Sequence, residues 1–259
     1  MSIQGSVGEA DSDWAIAVRE ALTASHGEAV AGAVLDRLLP VVPAGYDELN
    51  WPNSAAIDLP IVDRIARSGG AVTIDTAMMH FVEAEPQEWR FRVYRAGGAI
   101  PLADLLPLLD HLGFRAIDER AFHFDLPDAS VWLHDVGVQV PAGVQLTEEA
   151  RTEVQQAFLA EFAGTVEVDG LNCLVLAAGL TARQVEVLRA YSRYLRQIGF
   201  PFSQQYIEAT LARHAGIARS LVQLFTARFT PGLDGAEEAA AAARADVITA
   251  FDGVPSLDD

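Results

Sequence analysis

Apolar positions along this chain recur first at helical spacing, then alternate, then return to helical spacing to the end. The run "DWAIAVREALTASHGEAVAGAVLDRLLPVVP" reads as two short helices stopped by Pro40 and Pro43, with no evident packing partner. "SAAIDLPIVDRIARSGG" reads as a helix ending at Gly69, and "AVTIDTAMMHFVEA" as a strand. In "EWRFRVYRA", Trp89, Phe91 and Val93 fall on one face and Arg90, Arg92 and Tyr94 on the other, which predicts a half-buried strand.

"IPLADLLPLLDHLG" places Leu102, Leu105, Leu106, Leu109 and Leu112 on one helical stripe, with Gly113 as its left-handed cap. Pro107 should bend this helix or sit in an early turn, because it lacks an amide hydrogen. Two extended runs follow, "FRAIDERAFHFDL" and "SVWLHDVGVQVP", joined by a turn at "PDA". Helix, strand, strand, helix, strand, strand is the ferredoxin-like arrangement started at a different point: two helices on one face of a four-stranded antiparallel sheet.

From Thr147 onward only helices are expected. Thr147, Glu148 and Glu149 start one with Val154, Phe158 and Phe162 on its apolar face. Thr181 and Gln184 have capping-box spacing, and Val185, Leu188, Tyr191, Leu195 and Ile198 form the stripe that follows. Gly199 and Pro201 end this helix, Ser203 caps the next, and Phe202 is placed to staple onto Ile207. A helix through "IARSLVQLFTARF" precedes a break at "TPGLDG", and "AEEAAAAARADVITAF" is helical on propensity, mobile or docked elsewhere.

The fold class is therefore α+β, a ferredoxin-like antiparallel sheet module followed by an all-helical domain. The boundaries are a helical segment at 1–50, the α+β module at 51–143, the helical domain at 144–232 and a C-terminal linker or helix at 233–259.

Composition narrows the function. At 259 residues and 51 % hydrophobic content the chain has material for real cores, and a net charge of −18 argues against nucleic acid or a membrane surface as partner. All 18 positive charges are arginine, which removes Schiff-base chemistry and the phosphate-loop lysine. The single cysteine, Cys173, reads as a buried small hydrophobe. No secretory signal or membrane span is visible, and a cytoplasmic protein is expected.

Candidate chemistry is sparse. No G-x-G-x-x-G occurs, and the six histidines lack short-range metal spacing. His134 and Asp135 are neighbours on a strand, so they point to opposite faces and form no dyad; His123 and His134 could be neighbours across the sheet. The Gly97-Gly98 turn, where amides at a helix start could hold a carboxylate with Arg95 in reach, is the candidate amino-acid site. Arg92 and Arg95 are otherwise expected at the solvated surface. The stretch "LRAYSRYLRQIGFPFSQQYIEATLARH" carries four arginines, either an anion clamp or the wet side of a bundle helix; Arg189, Arg193 and Arg196 fall beside the apolar stripe, which favours the latter.

"DGLNCLVLAAGLTARQVEVLRAYSRYLRQIGFPFSQQYIEATLARH" resembles a region of the large NAD-dependent glutamate dehydrogenases of bacteria, and "PLADLLPLLDHLGFRAIDER" followed by "WLHD" resembles the segment just before it. The likeness covers most of the chain after about Ala71. It implies ACT-type modules and helical motifs upstream of the catalytic part, with the lysines and dinucleotide-binding residues of that family elsewhere. No catalytic, cofactor-binding or metal-binding residue is carried over. The resemblance implies a non-catalytic regulatory or assembly segment of an enzyme that oxidatively deaminates L-glutamate with NAD. Its partners would be the rest of that subunit, neighbouring subunits and a free amino acid. A free-standing amino-acid-binding ACT-type sensor and a complete enzyme of another type are the alternatives, with the abrupt C-terminus pointing to the segment.

Overall fold

The computed structural model describes residues 12–81 and 84–254. The outermost residues of the 1–50 and 233–259 segments, and Val82 and Glu83 of the first strand run, lie outside them. The chain divides into two compact units, Met1–Asp104 with Ala116–Gln139, and Leu105–Arg115 with Val140–Asp259.

The first unit opens with α1 (Asp13–His26), whose N-cap Ser12 accepts the Ala15 amide at 3.2 Å. Helix α2 (Glu28–Leu38) ends in a 3-10 turn at Leu39–Val41, as Pro40 requires. After the short α3 (Tyr46–Leu49) comes α4 (Pro52–Arg67), started by a proline at its first position. Val18 and Leu22, Leu35 and Leu38, and Leu59 and Val62 are fully or almost fully buried. They pack with Tyr46, Tyr94, Phe124 and Leu133 as one core. The helices of this segment thus have a partner after all: they cover the sheet.

The sheet comprises β1 (Ile74–Met79), β2 (Glu88–Ala96), β3 (Arg115–Asp125) and β4 (Ser130–Gln139), in the order β1-β2-β4-β3. Both β1 and β4 run antiparallel to β2, with Thr76 opposite Val93 and His134 opposite Val93 on the other side. Central β2 and β4 with the first and third strands at the edges is the ferredoxin-like order entered at a different point of its cycle, as expected. The helix placement differs from expectation. α1, α2 and α4 already fill the face bearing Tyr94. The buried Leu105 and Leu109 of α5 (Leu102–His111) are not part of that core, and from Leu105 onward α5 belongs to the second unit.

Strand β2 is not half-buried. Phe91, Arg92, Val93 and Tyr94 are all inaccessible, so both of its faces are interior. In α5 the stripe is narrower than predicted: Leu105, Leu109 and Leu112 are buried while Leu102 and Leu106 are exposed. Pro107 lies inside the helix, and Gly113 takes the left-handed conformation (φ 90°).

In the second unit α6 (Glu148–Phe162) is capped by Thr147, and α7 (Leu174–Ala178) follows a 3-10 turn at Gly170–Cys173. Helix α8 (Ala182–Gln197) opens with the complete Thr181/Gln184 capping box. Its apolar stripe is buried at Val185 and Leu188 only; Tyr191 and Ile198 are exposed. Ser203 caps α9 (Gln204–Arg213), and Phe202 stacks on Tyr206 with ring centroids 4.7 Å apart. Helix α10 (Ala215–Phe229) carries α11 (Ala236–Asp252), which buries Ala243 and Val247; the C-terminal helix is docked.

Candidate functional site

Each unit is pinned by one arginine buried among acceptors. In the first, Asp58 stands on the apolar face of α4 and takes three donors. Tyr46 Oη and Arg92 Nη1 donate to its Oδ2, and Tyr94 Oη donates to Oδ1 at 2.6 Å. Arg92 Nη2 also donates to Asn50 Oδ1 at 2.6 Å, while Asn50 Nδ2 returns a bond to the Tyr46 carbonyl at 2.9 Å. Asp135 on β4 accepts from Arg92 Nη2 at 3.4 Å and also lies 3.3 Å from its Nε, which makes no hydrogen bond. Asp135 also accepts from Arg90 Nε at 2.9 Å, and Arg90 Nη1 reaches Asp118 on β3 at 2.6 Å. Arg92, expected at the solvated surface, therefore points inward, drawn by Asp58 of α4 and Asp135 of β4.

Burial pushes the Asp58 carboxyl up, and Arg92 with the two phenols pulls it down. The net effect on the Asp58 carboxyl is upward, burial outweighing Arg92 and the two phenols. Burial works against charge on Arg92 as well, but Asp58 and Asp135 outweigh it and the guanidinium is held more firmly protonated than usual. Burial and then Asp58 raise both phenols, so Tyr46 and Tyr94 stay donors.

The second pin is Arg189 on α8. Its Nε and Nη2 grip Asp169 at 2.6 and 2.9 Å, Nη1 pairs with Glu186, and Nη2 also meets Asn172 Oδ1. Asn172 passes the connection on, donating to Glu161 Oε1 at 2.6 Å and to the Glu167 carbonyl at 2.9 Å. Glu161 is buried with its second oxygen unpartnered, and burial lifts its carboxyl to about 7 against the pull of Asn172 and Arg189. Of the three arginines placed beside the α8 stripe, Arg189 is therefore interior, and only Arg193 and Arg196 face solvent. Arg193 pairs with Glu167.

A cavity of about 460 Å³ beside these two arginines is lined by Glu167, Asp169 and Glu208 as well, so acids outnumber arginines and a phosphate has no favoured seat. Cys173 donates to the Gly170 carbonyl at 3.1 Å, and burial, then Asp169 and Glu208, push its thiol up to about 11. It is no nucleophile at neutral pH.

The Gly97-Gly98 turn does not start a helix: α5 begins four residues after Gly98. The Gly97 amide is already committed to the Ser130 carbonyl at 2.8 Å, and Ser130 Oγ donates back to the Gly97 carbonyl at 3.1 Å. Arg95 is half-buried opposite Trp132. His123 stacks on Trp132 (4.4 Å), while His134 Nε2 accepts the Ile100 amide at 2.9 Å and its Nδ1 faces Glu119 Oε1 at 2.9 Å. Both ring nitrogens of His134 are thus engaged within the fold. Among the described residues no cluster of three or more His, Cys, Asp or Glu is placed to hold a metal ion.

Comparison with known proteins decides which family this architecture serves. Residues 73–152 match the glutamate dehydrogenase ACT3 domain, and residues 166–231 match glutamate dehydrogenase helical motif 3. The chain is 34 % identical to NAD-specific glutamate dehydrogenases of Halomonas elongata (95 % of this chain), Mycobacterium tuberculosis (99 %) and Pseudomonas aeruginosa (78 %). The chain belongs to the NAD-specific glutamate dehydrogenase family. It spans 15 %, 16 % and 12 % of the length of these curated relatives.

The glutamate dehydrogenase helical motif takes in Asp169, Asn172, Glu186 and Arg189, so that pin is nearly self-contained, with Glu161 alone outside it. The first pin is divided: Arg90, Arg92 and Asp135 lie within the ACT3 match, while Tyr46, Asn50 and Asp58 precede it. Sequence reasoning missed both pins, although Asp58 gave a signal, an acid on the same helical face as Ala55, Val62 and Ile65.

Proposed function

We propose that this chain is a regulatory and assembly segment of a large NAD-specific glutamate dehydrogenase, itself non-catalytic. The reading assigns the oxidative deamination of L-glutamate to 2-oxoglutarate and ammonia, and the NAD it consumes, to other parts of a cytoplasmic subunit. Its partners are those parts and neighbouring subunits. The observation that carries it is one of coverage: almost the whole chain aligns with about 15 % of each enzyme's length, through regions described as an ACT domain and a helical motif. The inward-facing charge supports it, since the buried acids and arginines are spent on joining elements. Among the described residues no helix is long and apolar enough to cross a membrane.

A spectrophotometric assay of the purified chain tests this. No glutamate-dependent reduction of NAD is expected, and calorimetry should give no heat of NAD binding. Turnover that survives removal of host dehydrogenases would overturn the reading.

A further inference from the structure

His123 and His134, on either side of one indole, hold the segment that leads from β2 into α5. The Trp132 ring lies 4.4 Å from the His123 ring at 14° and 6.4 Å from the His134 ring at 21°. Each histidine is tied to one end of the segment. At Gly97, which takes the left-handed conformation (φ 86°), the amide donates to the Ser130 carbonyl at 2.8 Å and Ser130 Oγ donates to the Gly97 carbonyl at 3.1 Å. His123 Nε2 meets that hydroxyl at 2.8 Å. At the other end, the Ile100 amide donates directly to His134 Nε2 at 2.9 Å.

The two ends respond differently to a proton. An amide can donate to Nε2 only while that nitrogen keeps its lone pair, so His134 is the neutral tautomer with its hydrogen on Nδ1, directed at Glu119 Oε1. A proton added to Nε2 sets two donors face to face. The Ile100 amide loses its acceptor, while Nδ1–H stays on the Glu119 carboxylate and the contact becomes an ion pair. His134 is 2 % and Ile100 3 % exposed, so the amide is left as an unsatisfied interior donor unless the segment lifts. The same proton on His123 does no such damage. A charged Nε2–H donates to Ser130 Oγ, whose own hydrogen remains on Gly97.

The charged groups about His134 agree with this division. Glu119 on β3 receives the cation, and His123 lies beyond Trp132. On β2, uncharged Val93 pairs with His134, and Arg95 stands opposite Trp132. Asp135, the next residue on β4, turns to Arg90 and Arg92 instead. The segment from Gly97 to Pro101 contains no charged residue.

We propose that His134 is a proton-operated clasp on this segment: the neutral ring holds Ile100 down, and the protonated ring releases it while Gly97 stays fixed. The lead into α5 loosens as pH falls, swinging about Gly98. The proposal goes beyond the reading above and does not depend on it.

Ring-nitrogen NMR and amide exchange on the 259-residue chain, followed from pH 8 to pH 5, test it. At pH 8 the His134 nitrogens should report hydrogen on Nδ1 and a bare Nε2. As the ring gains its proton, the protection factor of the Ile100 amide should fall about tenfold or more with the same midpoint, while that of Gly97 holds. His134→Gln offers an oxygen near the Nε2 position that does not titrate, so protection at Ile100 should become independent of pH. His123→Gln should leave the acid loss at Ile100 in place. A ring that stays neutral to pH 5, an Ile100 amide still protected beside a charged ring, or Gly97 and Ile100 released together would overturn the proposal. So would a pH dependence that survives His134→Gln; should that variant not fold, the parent chain alone decides the other three. None of these outcomes bears on the glutamate assay, so the two readings fail separately.

Discussion

Asp58 of α4 and Arg92 of β2 form an ion pair in which neither side chain has any solvent exposure. Such a pair is expensive to break from one side, because the survivor is left as an uncompensated charge in the interior. Arg92→Met should therefore cost about 3–5 kcal/mol in urea unfolding, and Asp58→Leu a similar amount. The double variant should cost much less than the two added together, since no lone charge remains. Strict additivity would mean that the pair is not coupled.

Arg189→Gln strips the guanidinium from Asp169, Glu186 and Asn172 at once, and should lower stability by about 3 kcal/mol. Arg193→Gln and Arg196→Gln should each stay within about 0.5 kcal/mol, because both side chains are at the surface. Thermal melts of the three single variants separate the interior arginine from its neighbours.

Glu161 predicts a pH dependence with a definite sign. Its carboxyl is raised from 4.5 to about 7 by burial, so the folded state holds this proton more tightly than the unfolded chain does. The stability it contributes is complete below about pH 4.5 and is lost as pH climbs through about 7. Glu161→Gln removes the titration while keeping an oxygen for Asn172. The variant should match the parent at pH 5 and exceed it at pH 8 by on the order of 1–3 kcal/mol. Urea curves that shift in parallel at both pH values would exclude this account.

Thr181→Ala should cost about 1 kcal/mol, because it deletes the oxygen that accepts the Gln184 amide and opens the capping box. Unfolding of this variant provides a scale for a purely local contribution against which the two buried arginines can be measured.

These four sites differ in how much of them could be read in advance. The Thr181/Gln184 box was legible because capping is a contact between residues three apart, and the four strands because alternation is a property of consecutive positions. The ferredoxin-like strand order followed from element order alone. Arg92 was misread, since alternation assigns it to a face without saying that α1, α2 and α4 cover that face. Arg189 was misread for the same reason: helical phase puts it beside the apolar stripe, and only the turn at Asp169–Cys173, some twenty residues earlier, makes that flank interior. The Gly97-Gly98 turn was located correctly as a turn, but the bond from its amide to Ser130 depends on a strand pairing the local pattern does not contain.

The span of the first pin has a consequence for the order of folding events. Arg92 lies 34 residues from Asp58, 42 from Asn50 and 43 from Asp135. Its partners therefore come together only when α4, β2 and β4 have all docked, each closure having spent chain entropy before any bond is returned. Contacts of that kind are expected to form on the native side of the rate-limiting barrier, which φ-values for Asp58 and Arg92 near zero would bear out. Weakening them should leave the refolding limb of a chevron almost unmoved and steepen the escape from the folded basin. The Asp58–Arg92 pair then acts as a latch on lifetime, governing how long the folded unit persists more than how quickly it is reached.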